Sequence, residues 1–210
     1  MGGYPSIQKL LYELRRRETE RHKRDSEVFW VTDLCRCPLK RVFEIEYPEF
    51  QKVSVYTPVF VLGDLVHLGL QLAIMKIADQ LKGYRISFEV EGSKDVDMGS
   101  TIVRVEGRAD CILEGSDRIG YEFKTSRGDT GLPREHHILQ CSLYNWMFDL
   151  DFSILVYVTP DRICEYPVME KASDSLVAEL ISDSLKLKAP RYPWECKFCQ
   201  FAQMCSRKVA

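Results

Sequence analysis

Apolar residues repeat along the chain at two spacings, and the switches between them mark its elements. Over residues 6–23 they recur at helical spacing amid dense charge, predicting an amphipathic helix. A second short helix enters at Cys37-Pro38, because proline suits a first helical position. Between residues 57 and 82, Val59, Phe60, Leu62, Val66, Leu70, Ile74, Ile77 and Leu81 keep the helical period. The remaining faces there are apolar too, which assigns that helix to the core. Residues 84–91, 101–105, 111–113 and 119–124 read as strands, with turns at Gly92-Ser93 and at 114–117. A helix over 134–149 follows, then a hairpin of strands 152–159 and 163–168 about Pro160-Asp161, a helix over 173–188, and a cysteine-rich tail at 193–205. With no internal repeat or low-complexity linker, the order predicts one α/β domain whose two ends form a helical, cysteine-bearing lobe.

A chain of 210 residues with 45% apolar content can bury a full core, which excludes disordered and fibrous classes. It shows no export signal and no apolar run long enough to span a bilayer, so no membrane role and a cytoplasmic location are expected. The opening Met1-Gly2-Gly3-Tyr4-Pro5-Ser6 matches a myristoylation pattern too short to carry weight. Eight cysteines without an export signal favour metal binding over a disulfide framework. Asn145 is the only asparagine, a depletion that fits a thermophilic source. The net charge of −2 places any nucleic-acid contact on local patches. Arg15, Arg16, Arg17, Arg21, Lys23 and Arg24 form the densest basic run, although interleaved Glu18 and Glu20 suit a solvated helix face equally well. Lys40, Arg41, Arg85, Arg104, Arg108, Arg127 and Arg134 are scattered.

If strands 111–113 and 119–123 pair about a turn near Ser116, Asp110 and Glu122 lie opposite each other. Lys124 then shares the face of Glu122, roughly 6.6 Å farther along. Two carboxylates suit a hard cation such as Mg²⁺ or Mn²⁺, with the Phe123 carbonyl as a third oxygen. By itself an Asp…Glu-x-Lys pattern also describes an ordinary charged strand edge. Companions shift the balance. His67, one turn after Gly63 on an apolar helix, needs a partner, and a metal would supply one. Gln140 and Tyr144 lie one turn apart on the helix after the hairpin. At the tail, Cys196-x2-Cys199-x5-Cys205 offers three soft ligands and Cys37 a fourth, with Cys35 its rival; spacing alone allows zinc or iron–sulfur. Cys111, Cys141 and Cys164 read as small buried apolar residues.

The order Gly63-x-x-x-His67, Gly107-Arg108-Ala109-Asp110, Glu122-Phe123-Lys124-Thr125-Ser126 and Gln140-x-x-x-Tyr144 resembles the RecB-like branch of the PD-(D/E)xK nucleases, with Ala109 in place of the family's proline. The Cys-Pro before that core and the cysteine cluster after it resemble the four-cysteine staple of the CRISPR-associated Cas-four family and of AddB-type repair nucleases. The resemblance implies a restriction-endonuclease-like α/β fold: a mixed central sheet flanked by helices, with the two ends joined by an iron–sulfur cluster. Within a single nuclease domain, residues 1–56 would form a helical part giving one cluster cysteine, 57–170 the core, and 171–210 a helix and the cysteine-rich segment. It implies that His67, Asp110, Glu122 and the Phe123 carbonyl hold Mn or Mg, that Lys124 orients or deprotonates water, and that Gln140 and Tyr144 support the substrate or Lys124. Cys37, Cys196, Cys199 and Cys205 would hold the cluster, 4Fe-4S in preference to 2Fe-2S, Cys37 being favoured because the family's ligand directly precedes proline.

The chain has no room for a helicase, which among these relatives favours the stand-alone Cas-four type, and the resemblance then implies a metal-dependent DNA exonuclease. The resemblance implies action on single-stranded DNA from the 5′ end and trimming of precursor spacers in CRISPR adaptation alongside the spacer-integration proteins. A repair exonuclease outside CRISPR and a non-catalytic iron–sulfur DNA-binding subunit are the rivals, and homo-oligomerisation is left open. Trp30, Tyr56, Tyr144 and Trp194 are the aromatic candidates for base stacking.

Overall fold

Two strands of thirteen residues form the spine of the fold, a computed structural model that describes residues 5–21, 26–99 and 101–209, with side chains omitted at 21 and 51–54. Strand β2 (Arg85–Asp97) runs antiparallel to β3 (Ile102–Glu114), from Arg85↔Glu114 to Asp97↔Ile102. The sequence places a turn at Gly92-Ser93, but the strand continues through it with Gly92 opposite Gly107. A Cβ on Gly92 would come within 2.4 Å of the Phe148 ring, so this glycine marks a close approach rather than a reversal. The reversal lies beyond, where the Met98 N–H donates to the Thr101 carbonyl at 2.9 Å. The separately predicted strands at 101–105 and 111–113 are therefore parts of β3.

Strand β4 (Arg118–Thr125) pairs antiparallel with the far end of β3, in the expected register of Leu113↔Ile119 and Cys111↔Tyr121. Strand β5 (Phe152–Val158) lies parallel to β4, which requires the crossover that helix α6 (Glu135–Met147) provides. Strand β6 (Ile163–Val168) closes the sheet as the predicted hairpin. A strand the sequence does not announce, β1 (Val28–Trp30), pairs parallel with β3 at Arg104 to Glu106. Three residues are too few to display a period of two.

Helices α1 (Ile7–Arg21), α2 (Val31–Leu34), α3 (Pro38–Glu46), α4 (Pro48–Val55), α5 (Pro58–Lys76), α7 (Asp174–Leu185) and α8 (Glu195–Phe198) complete the described elements, with a short 3₁₀ turn at Ala78–Gln80. The main core gathers Val31 and Leu34 of α2, Val105 of β3, Leu143 and Trp146 of α6, and Val177 and Ile181 of α7. A second cluster of Cys111, Leu113, Phe123 and Val156 is covered by Leu70 and Ile74 of α5. Asn145 ties these layers together: its amide donates to the carbonyls of Val168 (3.0 Å) and Glu170 (2.8 Å) and accepts from the Ser153 hydroxyl.

Helix α5 differs from its expectation in two ways. It ends at Lys76, and it has no fully buried residue: Leu62, Leu65, Leu68, Leu72 and Met75 are 45–60% exposed. By length and composition its 19 residues could cross a bilayer, contrary to the sequence reading. In the fold one side packs on the second cluster while Asp64 pairs with Arg15 and Gln71 donates to Glu89, so its polar residues are committed within the protein. The chain ends do meet. The Cys37 N–H donates to Glu195 (2.8 Å), Arg191 donates to the Arg36 carbonyl (3.3 Å), and Phe43 packs on Phe201 with ring centroids 5.3 Å apart.

Candidate functional site

The β3–β4 ladder stops at Cys111↔Tyr121, one residue short of Asp110 and Glu122. From there the strands part, and the Phe123 N–H donates to the Asp110 carboxylate at 2.7 Å instead of to a backbone carbonyl. N–H and C=O of one strand residue face the same edge, so the Phe123 carbonyl looks into this opening as well. The Phe123 side chain turns to the other face, buried under α5 with the His67 ring edge-on at 5.9 Å. His67 Nδ1 lies 3.5 Å from Asp110 Oδ1. Burial pushes the His67 value down, but its hydrogen bond to Asp110 and that carboxylate's charge outweigh burial, and the net shift is upward.

Glu122 is 3% exposed. Its Oε1 pairs with Lys124, and its Oε2 has no hydrogen-bond partner. Burial first, then repulsion from Asp110, pushes its carboxyl up to about 7, with Lys124 pulling the other way. Burial penalises the Lys124 ammonium, yet the charges of Glu122 and Asp110 prevail and hold it protonated. An unpartnered carboxylate oxygen beside a second carboxylate and an imidazole is an environment that a divalent cation would relieve, so the donor set fits a hard metal. Among the described residues no three His, Cys, Asp or Glu side chains are already grouped at single-ion spacing, so closing the shell takes a turn of Glu122 away from Lys124.

From α6, Gln140 donates to the Tyr144 hydroxyl at 3.3 Å, both side chains buried. Burial, then the Glu122 charge, drives the Tyr144 phenol well above its ordinary value, so it stays neutral. Gly107 makes room for this ring: a Cβ there would lie 2.9 Å from Tyr144 Cε1 and 3.1 Å from Val31 Cγ2. His67, Asp110, Glu122, Lys124, Gln140 and Tyr144 thus all face one groove of about 800 Å³ between α1, α5 and the sheet.

The cysteines form a second assembly. Cys37, Cys196, Cys199 and Cys205 line one cavity of about 220 Å³, together with Cys35. Every cysteine is a free thiol. Cys37 caps the start of α3; burial raises its thiol, while the backbone N–H groups of Lys40 and Leu39 pull it back. Cys35 is buried and its thiol is driven high, chiefly by burial. Five thiols around one cavity, four of them half-buried, are soft donors that fit a thiolate-bound cluster or ion.

Other expectations divide. Trp30 and Tyr144 line the groove, whereas Trp194 faces the cysteine cavity and Tyr56 packs on Tyr12 at 5.4 Å. Of the basic residues, Arg15, Lys40 and Arg108 reach the groove. Arg16 and Arg17 pair with Glu13 along α1, and Arg85 and Arg104 pair with Glu114 and Asp95. Lys23, Arg24, the Arg21 side chain and the first four residues of the myristoylation match lie outside the described residues. Cys111 and Cys141 are buried as expected; Cys164 is half-buried on β6. Glu89, overlooked in the sequence, holds φ = +50° in β2, pairs with Arg108 at 2.9 Å and lines the groove. A left-handed glutamate inside a strand carries no sequence signature.

No family model matches the chain. It is 38% identical over 207 residues, 97% of its length and 99% of the relative's, to the CRISPR-associated exonuclease Cas4 of Saccharolobus solfataricus strain P2. The crystal structure of SSO0001 superposes with a TM-score of 0.91 at 36% identity, covering 98% of both chains. LHK-Exo in complex with dAMP aligns at a TM-score of 0.48 and 13% identity over 78% of this chain and 87% of that one. With the restriction-endonuclease-like fold in place and the carboxylates, lysine and glutamine gathered on one groove, the chain belongs to the CRISPR-associated Cas4 exonuclease family.

Proposed function

We propose that the chain is a Mg- or Mn-dependent exonuclease that degrades single-stranded DNA, 5′ to 3′, and trims precursor spacers alongside the proteins that integrate them. The observation that carries this reading is the unpartnered Glu122 Oε2, buried in the same opening as Asp110 and His67. His67, Asp110, Glu122 and the Phe123 carbonyl would hold the ion, which when bound supplies Lewis acidity at the scissile phosphate and lowers the pKa of water. Lys124, kept cationic by the two carboxylates, orients water and offsets charge on the non-bridging phosphate oxygens. Gln140, hydrogen-bonded to a neutral Tyr144, presents a fixed amide to the substrate or to Lys124. The groove of about 800 Å³ would receive a single strand, with Trp30 and Tyr144 on its walls as the aromatic candidates for base contacts.

Cys37, Cys196, Cys199 and Cys205 would carry an iron–sulfur cluster, 4Fe-4S in preference to 2Fe-2S. The reading of Cys37 over Cys35 is supported by exposure: Cys35 is buried, whereas Cys37 stands half-buried at the start of α3 on the wall of the cysteine cavity. A cluster on these four thiols would add a covalent staple to the contacts that already join the two segments, Cys37 with Glu195, Arg36 with Arg191 and Phe43 with Phe201. The test is cleavage of end-labelled single strands with and without Mn²⁺ by wild type and Asp110→Ala. Metal-dependent 5′ degradation that Asp110→Ala abolishes is expected; undiminished cleavage by the variant overturns the site.

A further inference from the structure

Five basic side chains line the groove: Arg15, Arg36, Lys40, Arg108 and Lys124. Four are bound to carboxylates of this chain, Arg15 to Asp64, Arg36 to Asp33 and Glu44, Arg108 to Glu89, and Lys124 to Glu122. An arginine or lysine so paired adds little net positive charge for a polyanion to find. Lys40 differs. Among the described residues it is the one groove cation whose ammonium has neither ion pair nor hydrogen bond, although it is half-buried on the first turn of α3.

Lys40 and Arg36 both border the groove and the cysteine cavity, but Arg36 is held by Asp33 and Glu44. Gln200, between Cys199 and Cys205, lines the same groove. The cysteine-bearing tail and the start of α3 therefore make up part of the groove wall that faces the carboxylates. The Lys40 backbone is fixed there, its N–H donating to the Cys37 carbonyl at 3.1 Å, while its side chain is left for another partner. A lysine without a counter-ion on the wall of that groove is suited to a phosphate.

We propose, building on the nuclease reading above, that Lys40 anchors a backbone phosphate of the substrate strand where it passes between the cysteine lobe and the carboxylates. Arg15, Arg36 and Arg108 hold the walls together, Lys124 serves the carboxylates, and Lys40 holds the DNA.

The experiment measures binding of a fluorescein-labelled single-stranded oligonucleotide by anisotropy in EDTA, with the full chain carrying its cofactor, across a series of salt concentrations. Lys40→Ala is expected to weaken binding about fivefold near 0.1 M salt. It is also expected to flatten the slope of log K against log salt by about 0.7, one phosphate contact to a single strand. Lys40→Arg restores both and neutral Lys40→Gln restores neither; in Mn²⁺ the loss falls on KM rather than kcat. Unchanged affinity and slope in Lys40→Ala, or full rescue by Lys40→Gln, overturns the proposal even if a folding defect accompanies the alanine. A wild-type protein that neither binds nor cleaves single strands overturns the substrate reading instead.

Discussion

Two glycines stand in the sequence pattern that points to a nuclease, and the geometry separates them. A Cβ on Gly107 would lie 2.8 Å from Met147 Sδ, 2.9 Å from Tyr144 Cε1 and 3.1 Å from Val31 Cγ2. Met147 can yield, but Val31 is fully buried and Tyr144 is 5% exposed, so the alanine methyl displaces the tyrosine ring. Overpacking of this kind costs about 1–3 kcal/mol. In a chain of this size that is a fall in Tm of roughly 2–10 °C. Moving Tyr144 also breaks its hydrogen bond with Gln140, so cleavage falls more than stability alone explains. Gly63 has only Thr125 Oγ1 near its Cβ position, at 3.7 Å, an ordinary contact. Gly63→Ala, inside α5, gains up to about 1 kcal/mol of helix propensity and keeps its activity. Thermal melts and single-strand cleavage of the two variants decide the matter. Equal losses, or a harmless Gly107→Ala, would show that the Tyr144 packing has been misread.

Asn145→Ala leaves the Val168 carbonyl and the Ser153 hydroxyl without their partner in the core and frees the Glu170 carbonyl at its edge, and urea unfolding is expected to show a loss of about 2–4 kcal/mol; a loss below about 1 kcal/mol counts against the tie. Burial, helped by the Lys124 charge, lowers His137 to about 2, and burial, helped by Arg134, lowers His136 to about 4. Below the ordinary imidazole value the unfolded chain takes up protons that the folded chain refuses, so stability present at neutral pH is lost as pH falls below about 6.5, down to about 4 for His136 and on to about 2 for His137. His67, shifted upward, acts in the opposite sense, so the comparison is with His137→Gln, whose stability falls less steeply by about 1.4 kcal/mol per pH unit; parallel curves refute this. Cys199→Ala is expected to bleach the visible absorbance of anaerobically purified protein and to lower its Tm. A colourless wild-type protein containing zinc contradicts the iron–sulfur assignment.

The register of the β3–β4 hairpin was legible because turn position and strand period together fix which residues face each other, but the arithmetic carried the pairing one residue too far: the strands part after Cys111↔Tyr121, and Asp110, Glu122 and Lys124 meet on the groove beyond the ladder. Helical periodicity likewise located α1 and α5, and the proline after Cys37 marked the start of α3. Gly92 misled because glycine signals both turns and close packing, and only the Phe148 ring distinguishes the two. The exposure of α5 was hidden for a related reason: an apolar residue reports what it could bury, not what arrives to cover it. Lys40 and Glu89 were illegible as groove residues, since their placement depends on how α3 and β2 stand relative to β4.

An anomalous difference map from crystals soaked in Mn²⁺ tests the metal site most directly. A single strong peak within bonding distance of His67, Asp110 and Glu122, with Glu122 turned from Lys124, is expected, and Asp110→Asn should remove it. A map with manganese elsewhere and the Glu122–Lys124 pair intact would contradict the catalytic site described above.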